Sequence, residues 1–217
     1  LLFSICCAKE IEKLNYDVYF QKLKAGKAHL KLSEDAKGDN YILNFELRSN
    51  KYVDAIYKLR ENTSMILNRE DLFIYEIKKY VRQGRKKRNY HGLFNYDSKI
   101  AHINNMITTF QKPIYDPINI IYYIRNNFNL LGEDIIFSII SRNAFKDVTM
   151  GVIAEEEILF NNKIYECIVV GPKTNKNNSD DIKIWFSKDS LALPLVIESK
   201  AKLGTIKMEL NSIDTYE

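Results

Sequence analysis

Apolar and polar residues alternate through Ile182, Ile184 and Phe186, then through Leu193, Leu195 and Ile197, and again through Ile206, Met208 and Leu210. A period of two is the side-chain period of a strand, so these segments predict an antiparallel meander with one buried face. Ser187-Lys188-Asp189-Ser190 and Lys202-Leu203-Gly204 separate them with turn chemistry. The same alternation opens the chain, in Leu14/Tyr16/Val18/Phe20, Ala28/Leu30/Leu32 and Tyr41/Leu43/Phe45/Leu47. Turns are predicted at 24–27, around Gly26, and at 37–40, around Gly38. Val53, Ala55, Tyr57 and Leu59 also alternate, which predicts a strand over 52–60 in preference to a helix. Further strands are predicted within 72–81 and over 134–140, 145–154, 157–160 and 163–170. Gln83-Gly84 and Asn161-Asn162 are predicted as hairpin tips, and 172–180 as an exposed loop.

One segment breaks the pattern. Asp116-Pro117 places a carboxylate where free helix amides need an acceptor, followed by a residue whose missing N–H costs nothing in the first turn. Gly132 is the predicted stop. Ile118, Ile121, Tyr122, Arg125 and Phe128 share one face of this helix, while Ile120, Tyr123, Ile124 and Asn127 cover the other. A helix apolar nearly all round is buried on more than one side. The expected fold is therefore mainly β: a strongly curved antiparallel sheet, an unclosed half-barrel, wrapped around one central α-helix.

Composition supports a folded chain. With 46% hydrophobic residues and 28% charged ones, the 217 residues can bury a core and disorder is excluded. The formal net charge of +4 is too small to imply a nucleic-acid partner by itself. Residues 1–8 read as the remnant of a secretory signal, apolar Leu1-Leu2-Phe3-Ser4-Ile5 followed by the small residues Cys6-Cys7-Ala8. Export as a soluble periplasmic protein is expected, with one domain over 9–217. Lipid anchoring at Cys6 or Cys7 is the rival, disfavoured because Ile5 before Cys6 and Ser4-Ile5-Cys6 before Cys7 fit the lipoprotein pattern poorly. Cys167 lies in an apolar run and is expected to be an inert buried thiol.

Candidate chemistry is sparse. His29, His91 and His102 fall on separate predicted strands without metal-ligand spacing. Ser187 near Asp189 lacks a nucleophile elbow, and Asp189 is expected to cap its own turn. No phosphate-binding glycine loop occurs. These patterns predict no catalytic residue, no metal and no cofactor. Arg82, Arg85, Lys86, Lys87 and Arg88 form the dense cationic run, a charged hairpin edge or a patch for an anionic partner such as lipid head groups. Arg125 lies on the apolar helix, where a cation needs an internal carboxylate or a ligand head group. Trp185 is either core or pocket lining.

Three ordered blocks resemble the bacterial family called domain of unknown function 3108. They are Ala25-Gly26-Lys27-Ala28, the Asp116-Pro117 helix with Tyr122-Tyr123-Ile124-Arg125, and Ile184-Trp185-Phe186-Ser187…Asp189…Leu193-Pro194 leading to Gly204. The resemblance spans residues 14–210. It implies an architecture similar to envelope lipoprotein-localisation carriers, mostly exported, with no established catalytic residues. The expected function is a non-catalytic periplasmic binding or carrier module for a lipid or lipidated molecule. Ile118, Ile121, Tyr122, Arg125 and Trp185 are the candidate ligand contacts. The alternative is a structural or protein-interaction component of the envelope with a filled core. A monomer with peripheral membrane contact and no nucleic-acid partner is expected. Burying an acyl chain gains ~0.8 kcal/mol per methylene, so an apolar concave face suffices to capture lipid.

Overall fold

The computed structural model describes residues 8–130, 132–141, 144–173, 182–201 and 204–216. Residues 1–7 of the predicted remnant, residues 174–180 of the predicted loop and Lys202-Leu203 of the predicted turn lie outside them. Three long strands open the chain: β1 (Lys9–Phe20), β2 (Leu23–Glu34) and β3 (Asn40–Ser49). A short helix, α1 (Lys51–Ile56), leads to β4 (Leu59–Asn68), β5 (Ile74–Gln83), β6 (Lys86–Asn95), β7 (Ile100–Ile103) and β8 (Met106–Thr109). The two-residue β9 (Ile114–Tyr115) precedes α2 (Pro117–Asn126). The rest is β10 (Ile135–Ser141), β11 (Ala144–Phe160), β12 (Lys163–Pro172), β13 (Ile182–Ser187), β14 (Pro194–Ala201) and β15 (Gly204–Thr215).

Among the described residues, fifteen strands form one sheet, in the order β8-β7-β6-β5-β4-β3-β2-β1-β15-β14-β13-β12-β11-β10-β9. The pairing is antiparallel except between β9 and β10. Connectivity dictates curvature. Laid flat, fourteen strand spacings of ~4.8 Å would separate the edges β8 and β9 by roughly 67 Å. Yet Thr109 and Ile114 are only five residues apart, a reach of at most about 18 Å. The sheet must roll until its edges approach, and it does so without pairing β8 to β9.

Side chains close the seam. Phe110, in the linker, makes edge contacts with Phe94 of β6 at 5.9 Å, Tyr96 at 5.0 Å and Phe145 of β11 at 6.2 Å. The Tyr96 hydroxyl donates to Ile74 O and accepts from Ile114 N, at 3.0 and 3.1 Å. Lys112 pairs with Asp147 at 2.5 Å.

The alternation that predicts the strands also sets the faces. Val18, Met208, Ile197, Ile184 and Val170 lie in one register row and are all buried. Val169, Trp185 and Val196 occupy the opposite face of β12–β14 and are buried as well. The expectation of one buried face therefore fails in this part of the sheet.

Local corrections have local causes. Residues 51–56 are helical, not extended, because Asn50 accepts from Tyr52 N and Val53 N at 3.0 Å each and caps the turn. The alternation there buries nothing. Residues 145–160 form one strand. The β1–β2 turn sits at Gln21-Lys22, whose φ values of 47° and 73° match a tight two-residue hairpin, and not at 24–27. Gly26 instead lies inside β2, where an added Cβ would stand 2.1 Å from Arg48 O. Gly26→Ala is expected to cost about 1–3 kcal/mol, read as a lower denaturation midpoint; an unshifted midpoint would refute the close approach.

The helix starts as predicted. Asp116 accepts from Ile118 N at 3.0 Å, and Asn119 accepts from Asp116 N at 2.7 Å. It stops before Gly132, at Asn127, and Phe128 belongs to the following 3-10 turn over Phe128–Leu130. Ile118, Asn119, Ile120, Ile121, Tyr122 and Ile124 are all buried.

Candidate functional site

A pocket of about 610 Å³ opens beside the start of α2, lined by Ile77, Lys79 and Val81 of β5, Arg88, Asn89 and Tyr90 of β6, and Asn104, Asp116 and Ile140. Antiparallel register brings these residues together: Lys79 faces Tyr90 and Val81 faces Arg88 across the β5–β6 ladder. Alternation through Ile77, Lys79 and Val81 points all three the same way, onto the face that carries the buried Ile77.

Lys79 is the polar centre. Its ammonium lies 2.8 Å from Glu61 and 3.2 Å from Asp116. Burial acts to lower its pKa, but the two carboxylates outweigh it and hold the pKa above the ordinary lysine value. The N-cap of α2 is thereby tied to β4 and β5 by charge. Asn119 adds a bond from the helix to Leu72 O at 2.7 Å. Burial also pushes the Tyr90 phenol up, with the Asp116 carboxylate adding to it, so it stays protonated.

Arg88 supplies the rim. It is exposed and makes no ion pair among the described residues, nor do Arg82, Arg85, Lys86 and Lys87. Arg82 faces Lys87 across the ladder, a like-charge opposition that costs stability. Arg82 Nε donates to Gly84 O at 3.1 Å, at the predicted hairpin tip. The pocket thus combines Ile77, Val81, Ile140 and the Tyr90 ring with one unneutralised cation at its mouth.

The residues singled out from the helix lie elsewhere. Ile118, Ile121 and Tyr122 are packed in the core. Arg125 donates to Glu12 at 2.6 Å and to Leu191 O at 3.4 Å, and its guanidinium lies 5.3 Å from the Tyr122 ring centre. Trp185 Nε1 donates to Glu156 at 2.9 Å, on the face opposite Ile184. None of these five lines the pocket beside α2.

A profile of the family described as protein of unknown function, DUF3108, matches residues 15–211. The chain belongs to the DUF3108 family. Among solved structures it is similar to a β-barrel-like protein of domain of unknown function DUF1849 from Brucella abortus. That match has 8% identity and a TM-score of 0.65, and covers 97% of this chain and 100% of that one. At such identity the likeness concerns fold alone. A domain provisionally assigned to outer membrane lipoprotein sorting, from Vibrio parahaemolyticus, aligns over 96% of this chain and 84% of its own. Its identity is 8% and its TM-score 0.23, too low to carry an argument. No curated protein matches the chain.

In this DUF3108 chain Ser187, Asp189, His29 and His91 are engaged in structure, and His102 is exposed on β7. Ser187 Oγ donates to Asp189 at 2.8 Å and accepts from Leu193 N at 2.8 Å, while Asp189 also accepts from Leu191 N at 3.1 Å. That is the expected turn cap. His29 sits 2.7 Å from the Asn15 amide oxygen and His91 2.8 Å from Glu76. Among the described residues no three His, Cys, Asp or Glu side chains gather around a metal position. No described helix is long and apolar enough to cross a membrane.

Cys167 is buried, and burial, reinforced by the Asp189 and Glu156 carboxylates, pushes its thiol up to about 11. The thiol stays protonated at neutral pH, and thiolate is the reactive form. Iodoacetamide is therefore expected to label the Cys167 peptide only after denaturation; mapping by mass spectrometry checks this, and rapid native labelling would contradict it.

Sequence reasoning missed Lys79, Tyr90, Val81 and Ile140 as pocket residues, and took Asp116 only as a cap. One signal was readable: Lys79 interrupts an inward-facing alternation between Ile77 and Val81. A cation in that phase needs internal carboxylates.

Proposed function

We propose that this chain is an exported, periplasmic, non-catalytic binding or carrier module for a lipid or a lipidated molecule. The rolled sheet forms the wall, α2 lies within its curve, and the pocket beside Asp116 receives the ligand. The observation that carries this reading is the 610 Å³ pocket in which Ile77, Val81, Ile140 and the Tyr90 ring meet Arg88, a cation with no ion pair among the described residues. Its volume falls in the range of small-molecule sites, roughly 300–1,000 Å³. The burial of Ile118, Asn119, Ile120, Ile121, Tyr122 and Ile124 supports an interior position for α2. The unneutralised hairpin supports attraction of anionic head groups and peripheral contact with a membrane surface.

The second reading is a structural or protein-interaction component of the envelope whose core is filled. Close packing of Ile118, Ile121 and Tyr122 favours it.

Native mass spectrometry after gentle purification, with exchange of a fluorescent fatty acid, separates the two. The first reading expects a retained amphiphile that Val81→Trp expels by filling the pocket, and weaker retention in Arg88→Glu. A chain that neither retains nor exchanges any amphiphile supports the filled-core reading and overturns the first.

A further inference from the structure

A second concavity, of about 620 Å³, is lined mostly by outward-facing residues of β1–β6 and shares Lys79, Asn89 and Tyr90 with the pocket beside α2. Its floor follows from register. Glu46, Asn62, Tyr80 and Asn89 form one row across β3–β6, and Lys31, Asn44, Ser64 and Lys78 form the next across β2–β5. These positions alternate with the buried Phe45, Thr63 and Ile77, so they point away from the core.

Most of the charge in this groove is already neutralised. Lys31 pairs with Glu10, Lys78 with Glu76 at 2.7 Å, and Glu46 with Arg48. His29 bonds to Asn15 and is pushed toward its neutral form by burial and by Lys13. Lys13 alone among the lining cations of this face lacks an ion pair among the described residues. In contrast, the side chains of Asn44, Asn62, Ser64, Tyr80 and Asn89 make no hydrogen bond within the protein among the described residues.

We propose that this outer groove binds an uncharged, polyhydroxylated polymer, a segment of oligosaccharide. The chemistry favours it over the other classes. Three carboxamides and two hydroxyls each present both donors and acceptors, matching hydroxyl groups that are themselves both. The Tyr80 ring offers a face against which the apolar side of a sugar can pack. A peptide adding itself as a strand needs a free sheet edge, and the groove lies mid-sheet where every strand is already laddered. A polyanion needs unpaired cations, and paired lysines offer it little. The rows repeat at the ~4.8 Å strand spacing, so several contacts engage one extended chain at once.

Titrating the isotope-labelled full chain with chitotetraose, with maltotetraose and with dextran sulfate tests this by nuclear magnetic resonance. Saturable shifts are expected in the side-chain amides of Asn44, Asn62 and Asn89 with at least one neutral oligosaccharide, little changed by salt. Asn62→Ala with Asn89→Ala is expected to weaken binding about tenfold, and Tyr80→Ala comparably. These positions are outward-facing, so stability should hold within about 0.5 kcal/mol, checked by thermal denaturation. Val81→Trp, on the opposite face, should leave the Asn44 and Asn62 shifts unchanged, which separates this site from the lipid pocket; Asn89 lines both concavities and does not serve that comparison. No saturable shift with either oligosaccharide, shifts produced only by dextran sulfate and erased by salt, or affinity unaltered in the Asn variants would each overturn the proposal.

Discussion

Replacing Arg125 with Met is expected to destabilise the fold by about 3–5 kcal/mol, the cost of leaving a buried charge without its partner. Arg125 and Glu12 side chains are only 14% and 12% exposed, and they join the helix to β1 across 113 residues of sequence. Burial opposes the guanidinium's charge, yet Glu12 outweighs it and raises the Arg125 pKa, so the guanidinium stays charged. Removing the arginine strands the Glu12 carboxylate beside the buried Tyr16 and Tyr122. For a chain of this size each kcal/mol lowers the melting temperature by roughly 2–4 °C, so a fall of about 6–20 °C is expected. Adding Glu12→Leu should recover most of it, since a buried pair replaced by apolar residues is often neutral. A single variant that melts within a degree or two of the parent would show that the pair is solvated. Amphiphile retention by the double variant should match the parent, because Arg125 lies outside the pocket.

Phe110→Ala should be comparably severe, about 3–5 kcal/mol, for a different reason. Phe110 is 3% exposed and is the ring at which Phe94, Tyr96 and Phe145 converge from the two sides of the seam. Truncation leaves a cavity where no ladder hydrogen bond exists to hold the edges together. Hydrogen exchange offers a sharper readout than melting: amides of β7, β8 and β9 should lose protection before those of β1 and β15. Uniform loss of protection across the sheet would mean that the aromatic cluster is ordinary core and not the closure. Phe110→Leu, which keeps most of the volume, should cost clearly less.

The strands were legible because alternation reports the period of a strand, even over β12–β14, where both faces are buried. The final meander and the Asp116-Pro117 helix start both follow from local rules, and the structure places them where those rules point. Residues 51–56 misled because Val53, Ala55 and Tyr57 alternate by composition without burying anything, while Asn50 decides the conformation through two backbone hydrogen bonds. The turn assigned to Gly26 misled for a related reason: a glycine marks close approach as readily as a turn. The pocket beside α2 was harder to read. It depends on Lys79 of β5 meeting Asp116 and on Ile140 of β10 arriving from the far side of the roll. That meeting exists only because a five-residue step joins opposite edges of the sheet, and no local pattern encodes it. Arg125 was legible as a problem, a cation on an apolar helix, but its solution in Glu12 was not.

The ladder between β1 and β15 has a kinetic consequence. Leu14 pairs with Ile213, so 199 residues separate partners in the middle of the sheet. Closing a loop of that length costs about 5 kcal/mol of chain entropy beyond a constant, before the contacts it enables are made. Folding should therefore be slow for the chain's stability, with this zipper formed last and each half-sheet holding an open edge in the meantime. Substitutions confined to the β1–β15 ladder should then speed unfolding while leaving the refolding rate nearly unchanged.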